Sequence, residues 1–562
     1  MLPKVRRKNG RDQGEVWYDL ALHACTSAFF WSVCVVYYTR WWRLTLSGFF
    51  LLLLVPYSHA AVAVNLPLDD PAYPLLEKLV SSHLTFANAL TIKPITRLYA
   101  ARLIAEAIEQ RRRELDTTQR QEPFLDEILE YLTSHFKREL QEIGFLYRPR
   151  RTESVFLAPL VELKLDTVFA RNQFVLRDSS GLTPNLQGVF GLNEGFAYGD
   201  NLTLRTRAVS WATLADHYAA YLEPEVIIRS NPLLGDTFEA GIHKGYVKAG
   251  YVNLELAFGR DTLWWGPASQ GDLVISNNAP PFDLVKFSTP EPWRLPGPYR
   301  DLGEWQVAYF VARLEAHREF PHALLSGLRL TYQPATLVKF GYTNAFQAFG
   351  SGGVDLSVLE YMKKVFVPSL DTTGRTVHGL VAYDVVLSVP FVRELTFLKG
   401  VKFYWQRGQD NTRNVRGILG GGNILGGVLE GGRWDLRFEF VETRDVGPVW
   451  YTHPTYTSGF ALQQFVIGDP IGGAAQGLFG RATYYLTPTA WVAADGRREQ
   501  YGFGTQPVLT IQERFGLEAA YQLPWQQRFL TLWGRLEYAT LDQPGTDSQR
   551  TVNLQLSARW RF

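Results

Sequence analysis

The sequence predicts an all-β transmembrane barrel of antiparallel strands that is preceded by a small N-terminal α-helical bundle. Three observations favour this fold class. Apolar and polar residues alternate from about residue 155 to the end, residues 69–146 have helical spacing, and no run of about 18 apolar residues follows the N-terminal leader. Alternation sends successive side chains to opposite faces of a sheet, so one face can meet lipid while the other meets a wet interior.

The clearest alternating segment is the C-terminal one, residues 551–562. One face is apolar and ends on an aromatic residue: Val552, Leu554, Leu556, Ala558, Trp560 and Phe562. The other face is polar: Asn553, Gln555, Ser557, Arg559 and Arg561. A strand that ends on Phe562 in this way resembles the signal read by bacterial barrel-assembly machinery. This machinery is therefore an expected partner, as are the lipids of the outer membrane.

A large soluble β-sandwich or propeller is the alternative explanation for such alternation. The segments around Leu163, Leu254 and Phe438 favour the barrel, because their charges lie on one side and the other side carries almost none. Aromatic residues make up 14% of the chain, with 16 Trp, as two interfacial girdles would require. The roughly 400 residues after position 155 allow about 16 to 18 tilted strands. A barrel of that width has a lumen, which must conduct or be blocked.

The N-terminus predicts export. Arg40 and Arg43 flank two Trp and precede an apolar stretch at 44–55, and small-residue sites follow at 58–60 and 61–63. Residues 40–63 are therefore interpreted as a signal peptide. Residues 1–39 hold a second apolar block with Cys25 and Cys34, and are interpreted as an upstream extension from a start codon assigned too early; a membrane anchor is the alternative. Cleavage after Ala60 or Ala63 would leave a mature chain without cysteine and thus without disulfides.

Residues 69–146 predict a periplasmic bundle of three short amphipathic helices. The first is expected to start at Asp69–Asp70–Pro71, the second near Thr91 with Pro94 in its first turn, and the third near Pro123. Such short helices must pack against something, so the bundle would cap or plug the lower mouth of the barrel. The three arginines at 111–113 are interpreted as a solvated helix face.

Composition argues against several functional classes. The formal net charge is +2 and no dense basic patch stands out, so nucleic acid is not an expected partner. The 10 His form no metal-ligand pattern, and neither a metal nor a cofactor is expected. No Gly-x-Ser-x-Gly elbow with suitable partners stands out, so the chain is not expected to be an enzyme. A hydrolase that takes Ser, His and an acid from different strands stays open as an alternative.

Two sequence blocks are distinctive. The first is Gly-Arg-Asp-Thr-Leu-Trp-Trp-Gly-Pro at 259–267, followed by Ser-Asn-Asn-Ala-Pro-Pro-Phe-Asp at 276–283. The second, looser block is Ile-Gly-Asp-Pro-Ile-Gly-Gly at 467–473, with Leu-Phe-Gly-Arg at 478–481. Together with the helical segment and the aromatic end, these blocks resemble the Wzi family of outer-membrane capsule-assembly proteins over nearly the whole mature chain. Asp469 departs from the family, which often has His there, so the resemblance leaves any role of this position open.

The resemblance implies an 18-stranded outer-membrane barrel, with residues 69–146 as a periplasmic helical bundle and residues 155–562 as the barrel. It implies a surface lectin that attaches capsular polysaccharide or exopolysaccharide, expected here as a monomer. A glycan-binding surface would combine aromatic platforms with fixed polar groups. The first block supplies seven candidates: Arg260, Asp261, Trp264, Trp265, Asn277, Asn278 and Asp283. The alternative function is a substrate-specific porin or channel for small sugars, with charges such as Arg205, Arg207, Arg437 and Glu439 inside.

Each candidate also has a structural interpretation. Arg260 and Asp261 would form a lumen-facing ion pair that fixes strand register. Trp264 and Trp265 would be girdle residues. Residues 276–281 are rich in turn formers and would be a structured loop, which is able to fold into the lumen. The Gly-rich stretch 420–432 lacks the Lys of a phosphate-binding loop and is interpreted as a flexible loop or hairpin tip.

Overall fold

The computed structural model describes twelve stretches of the chain: 62–118, 121–147, 155–172, 194–232, 235–367, 377–389, 392, 397–410, 421–443, 450–503, 508–525 and 528–562. The predicted upstream extension lies outside the described residues, as does the predicted signal peptide except for its last two residues. The chain from His59 onward forms one compact unit.

Four helices form the N-terminal bundle, and a fifth lies in a later loop: α1 (Ala72–Ser81), α2 (Arg97–Thr118), α3 (Pro123–His135), α4 (Lys137–Glu142) and α5 (Val358–Phe366). The predicted first and third helices are confirmed as α1 and α3. The predicted start of the second near Thr91 is wrong, because Ile92–Lys93 forms a short strand and the helix begins only at Arg97. None of the helices in the described ranges combines the length and apolar character needed to cross a membrane.

The arginine run on α2 is not uniformly solvated. Arg111 is buried and its guanidinium binds the carboxylate of Asp126 on α3 (Nε–Oδ1 2.8 Å). Arg112 and Arg113 are exposed as predicted. The interpretation as a solvated face is therefore wrong for Arg111, which connects two helices of the bundle.

Within the described residues, eighteen antiparallel strands close into a barrel. They are β1 (Val155–Arg171), β2 (Asp200–Leu214), β3 (Tyr218–Asn231), β4 (Phe238–Tyr251), β5 (Leu254–Asp261), β6 (Phe282–Ser288), β7 (Glu304–Arg313), β8 (Leu324–Ala335), β9 (Val338–Ala348), β10 (His378–Ser388), β11 (Gly400–Asp410), β12 (Gly422–Glu430), β13 (Trp434–Glu442), β14 (Ala475–Thr487), β15 (Ala490–Tyr501), β16 (Thr510–Trp525), β17 (Arg528–Asp542) and β18 (Gln549–Arg561). Neighbours in sequence are neighbours in the barrel, and β1 pairs with β18 to close it. A further short strand, Trp293–Arg294, pairs with the start of β7 on the same side as β6.

The predicted alternation is confirmed on β18. Val552, Leu554 and Leu556 are exposed on the outer wall, whereas Asn553 and Gln555 are buried in the lumen. The inner wall also carries buried charges that neutralise one another, for example Lys164 with Glu223: Nζ–Oε1 3.1 Å. Apolar residues outside and paired charges inside are the pattern of a barrel that spans a membrane.

The prediction of a loop at 420–432 is wrong, because most of this stretch is strand β12. Gly426 and Gly427 leave space for aromatic rings of the adjacent strands. A Cβ at Gly426 would lie 2.3 Å from Cζ of Tyr404, and one at Gly427 would lie 2.5 Å from Cζ of Phe438. The glycines here serve close packing within the wall rather than flexibility.

The two ends of the barrel differ in the length of their connections. Connections such as 215–217, 336–337 and 488–489 are short and lie at one end, together with the C-terminus. Longer loops, such as residues 262–281 and the described residues 450–474, lie at the other end. In outer-membrane barrels the short turns face the periplasm and the long loops face the cell exterior.

Two buried clusters fill the lumen between these ends. The helical bundle packs at the short-turn end, where the carboxylate of Asp69 binds Lys164, Arg207 and Arg559 of the inner wall (3.0, 3.4 and 3.2 Å). From the long-loop end, residues 262–281 and 450–474 fold inward and bury apolar side chains against the wall. The described residues therefore close the lumen from both sides.

Candidate functional site

A notch in the barrel wall lies at the long-loop end, between β4 and β7. β4 begins at Phe238, whereas its neighbour β5 pairs with it only from Gly245 onward. The upper part of β4, residues 238–244, thus has a strand partner on one side only among the described strands. A cavity of about 380 Å³ opens beside this notch, and we call it the rim pocket. Its volume falls in the range of sites that bind small molecules or short oligomers.

Charged and polar side chains dominate the rim pocket. Its cationic and imidazole groups are Arg205, Arg229, Arg260, Arg313, His243 and His322. Its carboxylates are Glu194, Glu225, Glu239, Asp283 and Glu315. Such a lining suits a ligand that is rich in hydroxyl or carboxylate groups, because each of these can pair with a fixed charge or donor.

The deep wall of the pocket is a network of paired charges. Arg205 Nε donates to Glu225 Oε2 (2.9 Å), and His243 Nε2 lies 2.7 Å from Glu194 Oε2. Lys244 Nζ donates to the other oxygen of Glu194 (2.5 Å). Burial alone would raise the pKa of Glu194, but Lys244 and the hydrogen bond with His243 lower this pKa well below its usual value. Glu194 is therefore ionised, and the charged groups of this wall are already paired.

Arg260 and Asp283 form the outer edge of the pocket. They lie directly opposite each other on β5 and β6, and two parallel hydrogen bonds of 2.7 and 2.8 Å join the guanidinium to the carboxylate. The predicted pairing of Arg260 with Asp261 is wrong, because neighbouring residues on a strand face opposite sides. Asp261 instead faces the lumen and accepts a hydrogen bond from Asn65 Nδ2 (2.7 Å). An ion pair does fix the register here, but its partner is Asp283.

Arg313 and His322 are the unpaired donors of the pocket. Arg313 ends β7 directly opposite Asp283, and both its side chain and that of His322 are exposed. Neither side chain has a hydrogen bond or ion pair with the described residues. Glu315 Oε2 lies 3.5 Å from Arg318 Nη1, so this carboxylate of the pocket is already paired. Arg313 and His322 are therefore free to bind a ligand. No sequence motif marked them, and the only signal was the position of Arg313 at a strand end.

The two tryptophans of the first block lie inside the barrel. Trp264 is 5% exposed and packs on the helical bundle, and Trp265 is fully buried with its ring edge-to-face on Phe310 at 5.1 Å. Trp264–Trp265 pairs with Ile92–Lys93, which joins the bundle to the inward loop. The interpretation as girdle residues is therefore wrong. A glycan could not stack on either ring in this structure, because neither is accessible.

The asparagines of the first block hold a folded loop. Asn277 and Asn278 are buried, and Asn278 Nδ2 donates to the carbonyl of Val466 (2.9 Å). The expectation of a structured, inward-folded loop at 276–281 is confirmed. The second block lies against it, since Ser276 Oγ donates to the carbonyl of Gly468 (2.6 Å). Residues 262–281 and 450–474 thus pack against each other inside the barrel, and we call them the plug.

This plug also supports the rim pocket. The N–H groups of Glu194 and Gly195 donate to the carbonyls of Asn277 (2.8 Å) and Asn278 (3.0 Å). A Cβ at Gly195 would lie 2.3 Å from Cγ of Pro280, so this position requires glycine. Of the seven candidates, the structure brings Arg260 and Asp283 to the pocket and places Asn277 and Asn278 behind its wall. Asp261, Trp264 and Trp265 lie elsewhere in the lumen.

Asp469 is a buried carboxyl within the plug. Its Oδ1 accepts a hydrogen bond from the N–H of Ile471 (2.9 Å), and its own N–H donates to the hydroxyl of Tyr451 (2.8 Å). Its Oδ2 has no hydrogen-bond partner among the described residues. Burial raises the pKa of Asp469 to about 7.

The comparisons with known proteins agree on one family. Residues 170–556 match the sequence family described as capsule assembly protein Wzi. An uncharacterized 55.8 kDa protein in the cps region of Klebsiella pneumoniae is 29% identical over 123 residues, which are 21% of this chain and 23% of that protein. The chain thus matches less than a quarter of the length of this relative.

The fold is similar to that of Wzi from Escherichia coli, an outer-membrane protein described as involved in group 1 capsule assembly and as a carbohydrate-binding β-barrel. The TM-score is 0.62 at 17% identity, and the similarity covers 89% of this chain and 99% of that one. At this identity the likeness concerns the fold.

Proposed function

Because the chain belongs to the Wzi family of capsule assembly proteins and forms an outer-membrane β-barrel, we propose that it binds capsular polysaccharide or exopolysaccharide and attaches it to the cell surface. The observation that carries this proposal is the rim pocket. It lies at the end that faces the cell exterior, it is lined by charges, and it has unpaired donors. The protein thus acts as a lectin-like anchor.

The notch suits a polymer. A long glycan does not have to thread the lumen, because the wall is low between β4 and β7 and the chain can lie across the rim. Arg313 and His322 would then contact the sugar. Arg313 would bind a sugar carboxylate through two parallel hydrogen bonds, which are about twice as strong as neutral ones.

Two features support binding over conduction. The helical bundle fills the short-turn end of the lumen, and the inward loops fill the other end. A porin for small sugars would need a continuous aqueous path, which these packed clusters oppose.

The pairing of the pocket carboxylates also supports binding over catalysis. Glycoside hydrolysis needs one carboxyl that is protonated near neutral pH and a second that is ionised. In the rim pocket the five described carboxylates, Glu194, Glu225, Glu239, Asp283 and Glu315, each form an ion pair with a lysine or arginine, so none of them lies in a separate, uncharged environment. We therefore propose that the pocket holds sugar without cleaving it.

Two further proposals concern the assembly of the barrel and its oligomeric state. We propose that barrel-assembly machinery reads the last strand, since Phe562 is half-exposed, stacks on Trp560 at 5.2 Å, and donates its N–H to the carbonyl of Val161 (2.9 Å). We also propose a monomer, since one chain closes the barrel by pairing β1 with β18. Removal of Phe562 should lower the amount of folded, heat-modifiable barrel in the outer membrane, and normal amounts would contradict this role.

The proposal is tested first by deleting the gene in its host and measuring cell-bound and released polysaccharide. Constant total polymer with a smaller bound fraction supports attachment. An unchanged bound fraction contradicts it, and uptake of small sugars through the barrel would then be measured.

The pocket is tested by the double variant Arg313→Ala/His322→Ala, with Arg300→Ala as the control. Arg300 is an exposed arginine in the turn at the opposite end of the barrel. Loss of a hydrogen bond to a charged group costs about 1.5–3 kcal/mol, so binding of the host polysaccharide should weaken by about 10- to 100-fold. Wild-type binding by the double variant, with attachment still lost on deletion, would place the site elsewhere.

A further inference from the structure

Helix α5 lies against the outer wall of the barrel. The hydroxyl of Tyr361 is hydrogen-bonded to the hydroxyls of Tyr309 on β7 and Ser326 on β8 (both 2.6 Å). Asn344 Nδ2 on β9 donates to the carbonyls of Lys364 and Val365 (2.7 and 3.0 Å). Asn344 has the same parity along β9 as Phe340, which is exposed on the outer wall. The loop that contains α5 therefore folds back down the outside of the barrel.

The helix covers wall residues that would otherwise face lipid. Leu328 on β8 and Phe346 on β9 have outward parity, yet they are 4% and 2% exposed. They form one apolar cluster with Val365 of α5, and Tyr361 packs on its edge. One side of the helix thus takes the place of acyl chains on the barrel wall.

A second side of α5 is apolar and has no protein partner among the described residues. Val358, Leu359, Met362 and Phe366 are 81%, 66%, 45% and 57% exposed. At about 100° per residue they form an arc of about 100° that adjoins the side facing the wall. The polar residues of the helix lie on the remaining side: Glu360, Lys363 and Lys364. An exposed apolar arc of this kind on a short helix is unfavourable in water.

The level of α5 on the wall agrees with a position inside the membrane boundary. Trp305 and Tyr332 stack at 4.2 Å near the short-turn end of β7 and β8. Val311 follows six residues after Trp305 along β7 and lies level with Ser326 and Phe346. With a rise of about 3.4 Å per residue and a tilt of about 40°, this level is about 16 Å above Trp305, in the upper half of an apolar band about 25 Å tall.

We propose that α5 is an interfacial anchor whose exposed apolar arc inserts among the acyl chains of the outer leaflet. Membrane lipid is the occupant because the arc continues the lipid-facing wall without a break and lies at the level of the outer leaflet. Charge agrees, since the polar side carries two lysines, Lys363 and Lys364, against one carboxylate, Glu360, and anionic head groups would lie on this side. Such an anchor would fix one side of the long-loop end to the membrane surface.

The helix is preformed for this role. Ser357 Oγ accepts the N–H of Glu360, and the Glu360 carboxylate accepts the N–H of Ser357 (2.9 Å), which is a complete capping box. Insertion therefore requires no folding step at the membrane, and no ordering entropy of the helix opposes it.

The test places a fluorophore on the arc of the full chain in lipid vesicles. A Cys25→Ser/Cys34→Ser background has no other cysteine, so Leu359→Cys and Met362→Cys can be labelled singly. The matched control is Ser351→Cys, which is exposed in the same loop before the helix. The vesicles contain phosphatidylcholine and phosphatidylglycerol, with or without bromine on the acyl chains.

Brominated acyl chains should remove most of the emission from positions 359 and 362 and little of that from position 351, while aqueous iodide should show the reverse order. Equal iodide quenching at all three positions, with no effect of bromine, would overturn the proposal. Protection from both quenchers together with a dimeric mass in detergent would also overturn it, since a second copy would then cover the arc.

Discussion

Replacing Asp469 by Asn is expected to stabilise the protein relative to the wild type at alkaline pH and to have no such effect in acid. The carboxyl is fully buried in the plug, and its Oδ2 has no hydrogen-bond partner among the described residues. Burial raises its pKa from 3.8 to about 7. An amide has nearly the same shape and does not titrate, so the substitution removes the ionisation and little else.

The magnitude follows from linkage between protonation and folding. Below pH 3.8 the Asp469 carboxyl is protonated in both the folded and the unfolded chain, so its shifted pKa has no effect. Between pH 3.8 and about 7 the unfolded chain loses this proton while the folded chain keeps it. The free energy of unfolding of the wild type therefore falls by about 1.4 kcal/mol per pH unit across this window, and by about 4 kcal/mol in total. Above it both states are ionised and the loss stays constant.

The assay is urea unfolding in detergent micelles across this pH range, with the wild type and Asp469→Asn measured side by side. The quantity of interest is how their difference in free energy of unfolding changes with pH, because any pH-independent effect of the amide cancels. Asp547→Asn, in the exposed loop between β17 and β18, is the control. A difference that stays constant with pH, or that favours the wild type more strongly as pH rises, would refute the reasoning.

Gly426→Ala should destabilise the barrel by about 1–3 kcal/mol, because the added Cβ would lie 2.3 Å from Cζ of Tyr404. Gly480→Ala is the control in the same unfolding assay, because a Cβ at this position would have no atom within 4 Å. Asp69→Asn should raise ion conductance in planar bilayers, because breaking buried ion pairs costs about 3–5 kcal/mol and loosens the attachment of the helical bundle to the inner wall. Glu109→Gln on the exposed side of α2 should not raise it, and equal conductance of the two variants would contradict this. Mass spectrometry of the purified protein should find Ala61 as its first residue, since the N–H of Val62 donates to the carbonyl of Asp216 in the turn between β2 and β3, and Lys248 Nζ of the wall donates to the carbonyl of Ala63. A start three residues later would show that this segment is dispensable.

The fold could be predicted from the sequence because its signals are local. Alternation with a period of two can be found within a single strand such as β18, and the terminal Phe562 and the stripe of α3 can be found without any tertiary contact. Where tertiary packing decided the outcome, the predictions failed. Gly426 and Gly427 look like a loop in isolation, and only the rings of Tyr404 and Phe438 explain why they lie in a strand.

The candidate site could be predicted only in part, for a related reason. Trp264 and Trp265 stand out in the sequence, but indole is equally suited to a girdle, a sugar platform and a packed plug, and only the inward path of residues 262–281 distinguishes these. Arg313 and His322 belong to no motif. Both line the rim pocket because β7 and the loop after it lie beside the notch, where the neighbouring strands β5 and β6 are short. No single stretch of sequence shows this difference in strand length.

The distinctive blocks and the rim pocket are nevertheless physically connected, which explains how strong motifs can lie away from the proposed binding site. The carbonyls of Asn277 and Asn278 hold the backbone at Glu194, and Glu194 in turn fixes His243 and Lys244 of the deep wall. The plug therefore presets the position of the paired charges before any ligand arrives. Because a preorganised site loses little conformational entropy on binding, a loosened plug would weaken the proposed binding at the rim without removing a single contact.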